Sequence, residues 1–307
     1  MTTLPSGLVI EEKVVLKPFT SWLVGGPADF FAQPTGLEQL QDAYGWGLLR
    51  GLPITILGGG TNVLISDRGV RGLTIALRKF ATSESKEIVD QKGVKRLSIE
   101  CLAGTSKSEL LKTFLKNKLA PALFLAGLPG DVGGGVVMNA GVGEMISPRE
   151  FVEITDWIEV LRPDGATVER LPAAKLKWTY RHCDGWKPGI VVRVGLSWPL
   201  EPKDDVLARV KQANLVRMSK QPLESPSCGS VFVNPEGHKS GQLIESSGLK
   251  GFVVGGAKVS EKHANFIVNF DEAKASDIHG VIEHVKAEVL SQKGVQLKTE
   301  VVYLGEW

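Results

Sequence analysis

Two glycine clusters constrain this sequence more than any other feature. The first is LGGGTNVL, at 57–64, and the second is GLPGDVGGGVVMNAG, at 127–141. Glycine has no Cβ, so it tolerates positive φ and lets backbone N–H groups approach a ligand closely, as at phosphate-binding loops. Tight turns use the same freedom, and the first cluster taken alone is equally consistent with a plain turn.

Neither cluster has the spacing of the common nucleotide-binding motifs. They match neither GxGxxG at the start of a helix nor GxxxxGK[ST], so a Rossmann domain or a P-loop is not supported. Two clusters about 70 residues apart, each interpreted as lying between strands, instead indicate one ligand held by two subdomains. A long dinucleotide such as FAD fits that description.

Composition and charge exclude several classes of function. The 307 residues carry a formal net charge of +2 without a dense block of Lys and Arg, so we expect no nucleic-acid partner. Cys101, Cys183 and Cys228 form neither a disulfide framework nor a CxxC metal motif, which favours a reducing cytoplasm and no metal site. The sequence shows no export signal and no apolar run of spanning length, so we expect a soluble chain without a membrane partner.

Helix and strand patterns alternate through the first two-thirds of the chain. The capping-box pairs Thr35/Glu38 and Ser106/Glu109 predict two helix starts. The segments PITIL, GLTIAL and LSIECLAG are typical of strands, and Ile154 to Leu161, PDG and ATVERL predict a hairpin.

The composition of the sequence changes at a Pro-rich polar segment, WPLEPKDD, which begins at Trp198. This segment predicts a domain boundary. A helix follows it, with Val206, Leu207, Val210 and Leu215 at helical spacing. We also predict a final strand within VQLKTEVVYLGEW and, before it, a late helix that ends at Gly294. Its predicted buried residues are Ile278, Val281, Ile282, Val285 and Val289.

Seven motifs then occur in one order: GGPADFF, LGGGTNVLISDRGVRGL, LAGLPGDVGGGVVMNAG, TYRHC, GSVFVNP, SGQLIESSGLKG and VSEKHANFIVN. In this order and spacing the chain resembles the bacterial UDP-N-acetylenolpyruvoylglucosamine reductases, also called UDP-N-acetylmuramate dehydrogenases, from about Val24 to Gly305. The resemblance implies an α+β fold, in which a p-cresol methylhydroxylase-type FAD-binding fold of two α/β subdomains precedes a C-terminal α/β substrate-binding domain. The expected division is 1–80 for FAD-binding subdomain 1, 81–198 for FAD-binding subdomain 2 and 199–307 for the substrate-binding domain.

The same resemblance implies an activity and its cofactors. The expected reaction is the NADPH-dependent reduction, through non-covalent FAD, of UDP-N-acetylglucosamine enolpyruvate to UDP-N-acetylmuramate, a step in peptidoglycan precursor synthesis. The FAD-binding positions carried over lie in the two glycine clusters. They are Gly58, Gly59, Gly60, Thr61, Asn62, Val63, Leu64, Gly127, Pro129, Gly130, Gly133, Gly134, Asn139, Ala140 and Gly141.

Three residues are carried over as catalytic. Ser230 matches the proton donor for the carbon next to the substrate carboxylate, and Gly229 before it leaves room for the substrate. Arg181 matches the arginine that binds this carboxylate and stabilises the enolate, and Glu300 matches the glutamate that polarises the enol or assists Ser230 through a water. A serine at a strand end, a surface arginine and a carboxylate at a strand edge are the alternatives that need no chemistry.

Further positions bear on substrate binding. Asn234 is expected to contact the nucleotide sugar and Arg217 its diphosphate, whereas His263 is either a ligand contact or a structural residue. Two positions depart from the family pattern: Val233 stands where lysine is common, and Cys183 where the motif has serine. The short, tyrosine-free segment between Arg181 and Ser230 resembles the type II form, which lacks a tyrosine-bearing loop over the substrate.

Two other functions compete with this interpretation. One is an FAD-dependent sugar or alcohol oxidase of the same superfamily, although the glycine clusters contain no histidine that would tether a flavin. The other is a non-catalytic protein that binds flavin or a nucleotide sugar, which would not need Ser230, Arg181 and Glu300 together. We expect a monomer.

Overall fold

The computed structural model of the chain describes residues 1–143 and 146–307. Its helices are α1 (Leu37–Leu49), α2 (Lys107–Lys116), α3 (Ala122–Leu125), α4 (Val132–Val137), α5 (Val206–Lys220), α6 (Ser240–Ser246) and α7 (Ala275–Lys293). The first strands are β1 (Thr2–Thr3), β2 (Val9–Val15), β3 (Pro27–Ala32), β4 (Ile54–Leu57), β5 (Val63–Ile65), β6 (Val70–Ala76), β7 (Ser83–Val89), β8 (Lys95–Leu102) and β9 (Thr155–Leu161). The remaining strands are β10 (Val168–Pro172), β11 (Lys177–Thr179), β12 (His182–Asp184), β13 (Ile190–Pro199), β14 (Val253–Val254), β15 (Ala257–Val259), β16 (Ile267–Asn269) and β17 (Val302–Leu304).

The chain divides into two compact units that interleave in sequence. Unit 1 contains Met1–Glu11, Phe31–Gly59 and Thr74–Val216. Unit 2 contains Glu12–Phe30, Gly60–Leu73 and Arg217–Trp307. A sheet of order β1-β2-β3-β6-β4 includes the strands within which the chain changes unit. The expected three-domain division stays a prediction, because these units are assembled from non-contiguous segments.

Unit 1 is built on an antiparallel sheet of order β10-β9-β13-β8-β7. Alternate residues of β8, among them Leu97, Ile99 and Cys101, are buried, as expected for a sheet with one covered face. The core beneath contains Phe124 and Phe151, whose rings meet edge to face at 5.9 Å between centroids. Helix α4, which carries the glycines of the second cluster, packs against β8 and β13.

Unit 2 contains the antiparallel sheet β14-β15-β16 and the parallel pair β5–β17. Helix α7 packs on this sheet and buries the five residues predicted from its periodicity, Ile278, Val281, Ile282, Val285 and Val289. It ends at Gly294, which has φ +67° and caps the helix, as predicted.

Most of the predicted elements are confirmed, including the strands β4, β6 and β8 and the β9–β10 hairpin. Ser106 caps α2 by accepting the N–H of Glu109, as predicted. The first capping box is wrong: α1 starts after Gly36, and Thr35 bonds to the side chain of Gln39 instead. Both glycine clusters were expected between strands, but the second forms the turn before α4 and α4 itself.

Two further expectations need correction. The final strand is limited to Val302–Leu304, and Glu300 lies in the irregular segment just before it. The helix predicted after the Pro-rich segment is confirmed as α5, but of the four apolar residues named for it, Val206 and Val210 are buried, while Leu207 and Leu215 are exposed. Cys101, Cys183 and Cys228 are free and buried. None of the described helices is both long and apolar enough to cross a membrane.

Trp22 shows how unit 2 ties its early segment to the late part of the chain. Its ring is fully buried, and Nε1 donates to the carbonyl of Ile267 at 2.7 Å. Asn269 Nδ2 donates in return to the carbonyl of Trp22 at 2.9 Å. The two contacts satisfy backbone groups that water does not reach.

We therefore expect Trp22→Phe to destabilise the protein by about 1–3 kcal/mol, because the Ile267 carbonyl loses its partner inside the core. Thermal unfolding followed by circular dichroism should show a lower midpoint. Trp307→Phe is the matched control, since Trp307 is 45% exposed and its replacement should cost less than about 1 kcal/mol. Equal midpoints for the two variants would contradict the argument.

Candidate active site

The segment that carries Ser230 is fixed at both ends by the residues around β16. Upstream, the carbonyl of Pro226 accepts the N–H of Asn269 at 3.0 Å. Downstream, the Val231 N–H donates to the Asn265 carbonyl at 2.9 Å. Between these ends Gly229 has φ +80°, and a Cβ built on it would meet no atom within 4 Å. The glycine is therefore needed for its backbone conformation, and the space beside it is open, as expected for a substrate approach.

Glu300 lies on the segment paired with this one. Its N–H donates to the Val231 carbonyl at 2.8 Å, and an antiparallel bridge joins Phe232 to Thr299. Burial raises the pKa of the Cys228 thiol well above its usual value, and the charge of Glu300 raises it further. Ser230 and Glu300 were both predicted as catalytic, and they lie 70 residues apart in the sequence. The structure places them on two adjoining segments of unit 2.

Arg181 belongs to unit 1 and is held by several groups. It has φ +59°, its guanidinium lies over the ring of Tyr180, and Nη2 donates to the Gly141 carbonyl at 3.0 Å. Nη1 lies 3.6 Å from a carboxylate oxygen of Glu150. A partly buried arginine fixed in this way is not an ordinary surface arginine, because long exposed side chains gain little from such ordering.

Asn139 organises the surroundings of Arg181. It is buried, and its Nδ2 bonds to both Glu150 Oε2 and the Thr179 carbonyl, each at 3.1 Å. Its Oδ1 accepts the N–H of Val152 at 3.0 Å. Neighbouring Ala140 and Gly141 are also engaged, since the Ala140 carbonyl accepts the N–H of Phe151 and Gly141 bridges to Glu150. These three predicted cofactor residues lie next to the predicted catalytic arginine.

The two glycine clusters touch each other within unit 1. A Cβ on Gly59 would lie 2.8 Å from the Cα of Gly130, and a Cβ on Gly58 would lie 2.5 Å from Asp131 Oδ2. Real Cβ atoms do not make such contacts, so both positions require glycine. Arg78 Nη2 also donates to the Gly59 carbonyl at 2.9 Å, which places a cation beside the loop.

The other predicted residues of the second cluster lie around the start of α4. The Gly130 carbonyl accepts the Lys107 N–H, and the Pro129 carbonyl accepts Lys107 Nζ at 2.9 Å. Gly133 packs against Ala103, and the Gly134 N–H donates to Asp131 Oδ1 at 2.7 Å. Gly127 has φ +74° in the turn that precedes them. Several of these glycines therefore permit close packing inside the protein.

The remainder of the first cluster lies in unit 2, from Gly60 to Leu64. Gly60 has φ +69° and accepts the Ser21 N–H at 2.9 Å, while Asn62 Nδ2 donates to the Glu300 carbonyl at 3.0 Å. Thr61 lies between them and is half-buried. Val63 and Leu64 belong to β5, and the Leu64 side chain is fully buried in the core, so only its backbone is suited to a ligand.

The two predicted substrate residues also lie in unit 2. Asn234 Oδ1 accepts the N–H of Ser240, the first residue of α6, at 3.0 Å, so this exposed side chain has a structural contact as well. Arg217 stands in the last turn of α5 and donates from Nη2 to Gln221 Oε1 at 3.1 Å. Neither contact tests binding of a substrate.

Comparison with known proteins decides the family. Residues 28–170 match the model of an FAD-binding domain, and residues 221–304 match the C-terminal domain of UDP-N-acetylenolpyruvoylglucosamine reductase. A reductase of that name from Synechococcus sp. (strain WH7803) is 39% identical across 99% of this chain and 96% of its own length. The chain belongs to the UDP-N-acetylenolpyruvoylglucosamine reductase family.

Other members of this reductase family agree. The reductase of Moorella thermoacetica is also 39% identical, over 95% of this chain and 92% of its own. The crystal structure of the reductase from Thermus caldophilus has a TM-score of 0.78 and 31% identity, and the alignment covers 97% of this chain and 99% of that one. The family and the α+β fold class predicted from the sequence are thereby confirmed.

The residues at the glycine clusters fit the FAD that an FAD-binding domain of this reductase family implies. Asp131 Oδ2 is buried and forms no well-aligned hydrogen bond among the described residues, although the Gly59 N–H faces the carboxyl group. Ser21 Oγ, beside Gly60 in unit 2, is likewise buried without a described partner. Bare glycine backbone and the guanidinium of Arg78 suit an anionic diphosphate.

Several of these positions carried no usable signal in the amino-acid sequence. Asp131, Lys107, Arg78, Glu150 and Asn265 were not predicted, because a single charged or amide residue becomes informative only when its neighbours in space are known. Of these residues, Asp131 in LAGLPGDVGGGVVMNAG and Asn265 in VSEKHANFIVN stood inside quoted motifs. His263 makes a structural contact, since its Nδ1 accepts the Asn265 N–H at 3.2 Å.

Lys107 and Asp131 are both buried beside the second cluster. Burial lowers the pKa of Lys107 from its usual 10.5 to about 8, and the charge of Asp131 opposes this only in part. Burial likewise raises the pKa of Asp131, against the Gly134 N–H and the Lys107 charge. Desolvation therefore outweighs the attraction between the two groups.

This predicts a dependence of stability on pH. Between pH 8 and 10.5 the folded chain has released the Lys107 proton while the unfolded chain retains it, so stability rises with pH in this window. The gain attributable to Lys107 should reach about 3 kcal/mol and be absent in Lys107→Met. The measurement is the difference in free energy of unfolding between wild type and variant across that range. Lys116→Met, at an exposed position on the same helix, should show the same dependence of unfolding free energy on pH as the wild type. If Lys107→Met also showed the wild-type dependence, Lys107 would not be its source.

Proposed function

We propose that the chain reduces UDP-N-acetylglucosamine enolpyruvate to UDP-N-acetylmuramate, with NADPH as hydride donor and non-covalent FAD between them. Family membership over almost the full length supports the activity and the class of FAD-dependent oxidoreductase. The observation that carries the assignment of residues is the pairing of the Ser230 segment with the Glu300 segment in unit 2.

The chemistry divides between cofactor and protein. When bound, FAD accepts hydride from NADPH and delivers it to the terminal vinyl carbon of the enolpyruvyl ether. Negative charge then develops on the carbon that bears the carboxylate and on the carboxylate itself. The protein must therefore supply one proton to this carbon and positive charge to the carboxylate.

Ser230 is the proposed proton donor. A serine hydroxyl is a weak acid, but the enolate that it protonates is a strong base, so the transfer is favourable. The open space beside Gly229 would let a substrate approach the segment that carries Ser230. Glu300, on the neighbouring segment, would polarise the enol or restore the Ser230 proton through a water.

Arg181 is proposed to bind the substrate carboxylate. Its guanidinium offers a planar pair of donors that matches a carboxylate. The contacts with Gly141 and Glu150 limit its motion, so little conformational entropy remains to be lost when substrate binds. Asn234 and Arg217 are proposed to contact the nucleotide sugar and its diphosphate.

The cellular setting follows from this reaction. We propose a cytoplasmic monomer of the type II form that supplies a peptidoglycan precursor, and through it cell-wall biogenesis, cell shape, cell division and the cell cycle. The oxidase alternative is disfavoured, because the C-terminal residues 221–304 match the reductase family specifically. A non-catalytic binding protein would neither oxidise NADPH nor reduce the enol ether.

The first test is a pair of half-reactions without oxygen. We expect purified protein to be yellow, to lose its flavin absorbance when NADPH is added, and to regain it only with UDP-N-acetylglucosamine enolpyruvate. Reoxidation by a simple sugar or alcohol and not by the enol ether would favour the oxidase. A colourless protein unable to take up FAD would overturn the proposal.

The second test separates the roles of cofactor and serine. Ser230→Ala should be reduced by NADPH at the wild-type rate, whereas its reoxidation by the enol ether should slow by about 10²–10⁴-fold, the usual range for loss of a general acid. Ser246→Ala, an exposed serine on α6, is the control and should match the wild type in both steps. Unchanged reoxidation in Ser230→Ala would remove this residue from the mechanism.

A further inference from the structure

We infer that Asn265 is a positioning residue for Ser230, an inference that rests on the proposed function. The Asn265 side chain is 4% exposed and makes two hydrogen bonds to one residue. Its Oδ1 accepts the N–H of Phe232 at 2.9 Å, and its Nδ2 donates to the carbonyl of Phe232 at 2.8 Å. The Asn265 carbonyl also accepts the Val231 N–H at 2.9 Å. Three bonds from one asparagine thus hold the two residues that directly follow Ser230.

The register of the neighbouring segment explains why a side chain is needed here. The bridge between Phe232 and Thr299 uses the Val231 carbonyl and the Val233 N–H, which bond to Glu300 and Lys298 respectively. The N–H and carbonyl of Phe232 therefore point away from this partner. The side-chain amide of Asn265 forms hydrogen bonds with both the N–H and the carbonyl of Phe232. It thereby supplies the contacts that a further strand would make on that side.

Only an uncharged amide satisfies both groups at once. Aspartate retains the acceptor for the Phe232 N–H but presents a second oxygen to the Phe232 carbonyl, where donation is required. A hydrophobic residue leaves both backbone groups buried and unsatisfied. The asparagine is therefore specific for the backbone position that it fixes.

The position of Ser230 depends on this downstream contact because the nearest described backbone hydrogen bond upstream is four residues away, from the Asn269 N–H to the Pro226 carbonyl. Gly229 adjoins open space, and the buried side chain of Cys228 is the further anchor between Pro226 and Ser230. A proton donor must lie within hydrogen-bond reach of the carbon that it protonates, and displacement by about 1 Å can cost 10²-fold in rate. Movement of Phe232 would be transmitted to Ser230 through the two peptide units that join them.

The loop before Asn265 is itself ordered. Ser260 Oγ accepts the N–H groups of Lys262 and His263, and His263 Nδ1 accepts the N–H of Asn265. The His263 ring meets the Phe266 ring at 4.8 Å between centroids. The amide that holds Phe232 is thus presented from a rigid turn.

The test compares two buried asparagines of the same motif in FAD-loaded protein. We expect Asn265→Asp to leave the rate of NADPH reduction within about twofold of wild type and to slow reoxidation by the enol ether by about 100-fold. The solvent deuterium isotope effect on reoxidation should increase, because proton transfer becomes rate-limiting. Asn269→Asp is the matched control: its amide bonds to Trp22 and Ala273, so it should lower the thermal midpoint without this selective loss.

Asn265→Ser serves if the aspartate variant does not fold, since a hydroxyl cannot reach both groups of Phe232. The inference is wrong if either Asn265 variant slows both half-reactions equally, or if Asn269→Asp shows the same selective loss and isotope effect. Failure of the wild type to be reoxidised by the enol ether would instead refute the proposed function, and with it this inference.

Discussion

Buried backbone groups that lie outside regular sheet must find partners, and in unit 2 two asparagine side chains supply them. Asn265 satisfies both polar groups of Phe232, while Asn269 bonds to the Trp22 carbonyl and accepts the N–H of Ala273. An unsatisfied amide in such a place costs as much as a lost hydrogen bond or more. The Asn265 contacts fix the segment that carries Ser230, so the proposed chemistry depends on them, whereas the Asn269 contacts stabilise the core around Trp22.

Unit 1 meets a different constraint, the close approach of backbone to backbone. Gly59 lies against Gly130, and Gly58 against Asp131, at separations that exclude any side chain. Asp131, which lies against Gly58, and Lys107 are both buried at a cost in electrostatic free energy, which their shifted pKa values record. Perturbed ionisable groups gather at functional sites more often than elsewhere, and here they adjoin the loops that fit a diphosphate.

The groups proposed for catalysis come from both units. Arg181 belongs to unit 1, whereas Ser230 and Glu300 belong to unit 2. Each is held within its own unit by backbone contacts: Arg181 by the Gly141 carbonyl and Ser230 through Val231 and Phe232. Fixed groups lose little entropy when a substrate binds, which favours stabilisation of charge in the transition state.

The sequence by itself determined the family, the fold class and most elements. Ordered motifs and local periodicity carry this information: the five buried residues of α7 follow from a period of 3.6, and the β9–β10 hairpin from its Asp-Gly turn. Only the tertiary structure decided that the second glycine cluster forms α4, that Gly58 and Gly59 touch Gly130 and Asp131, and that Asn265 holds Phe232. Such contacts join residues far apart along the chain, and one amide or one glycine has no meaning until its neighbours in space are known.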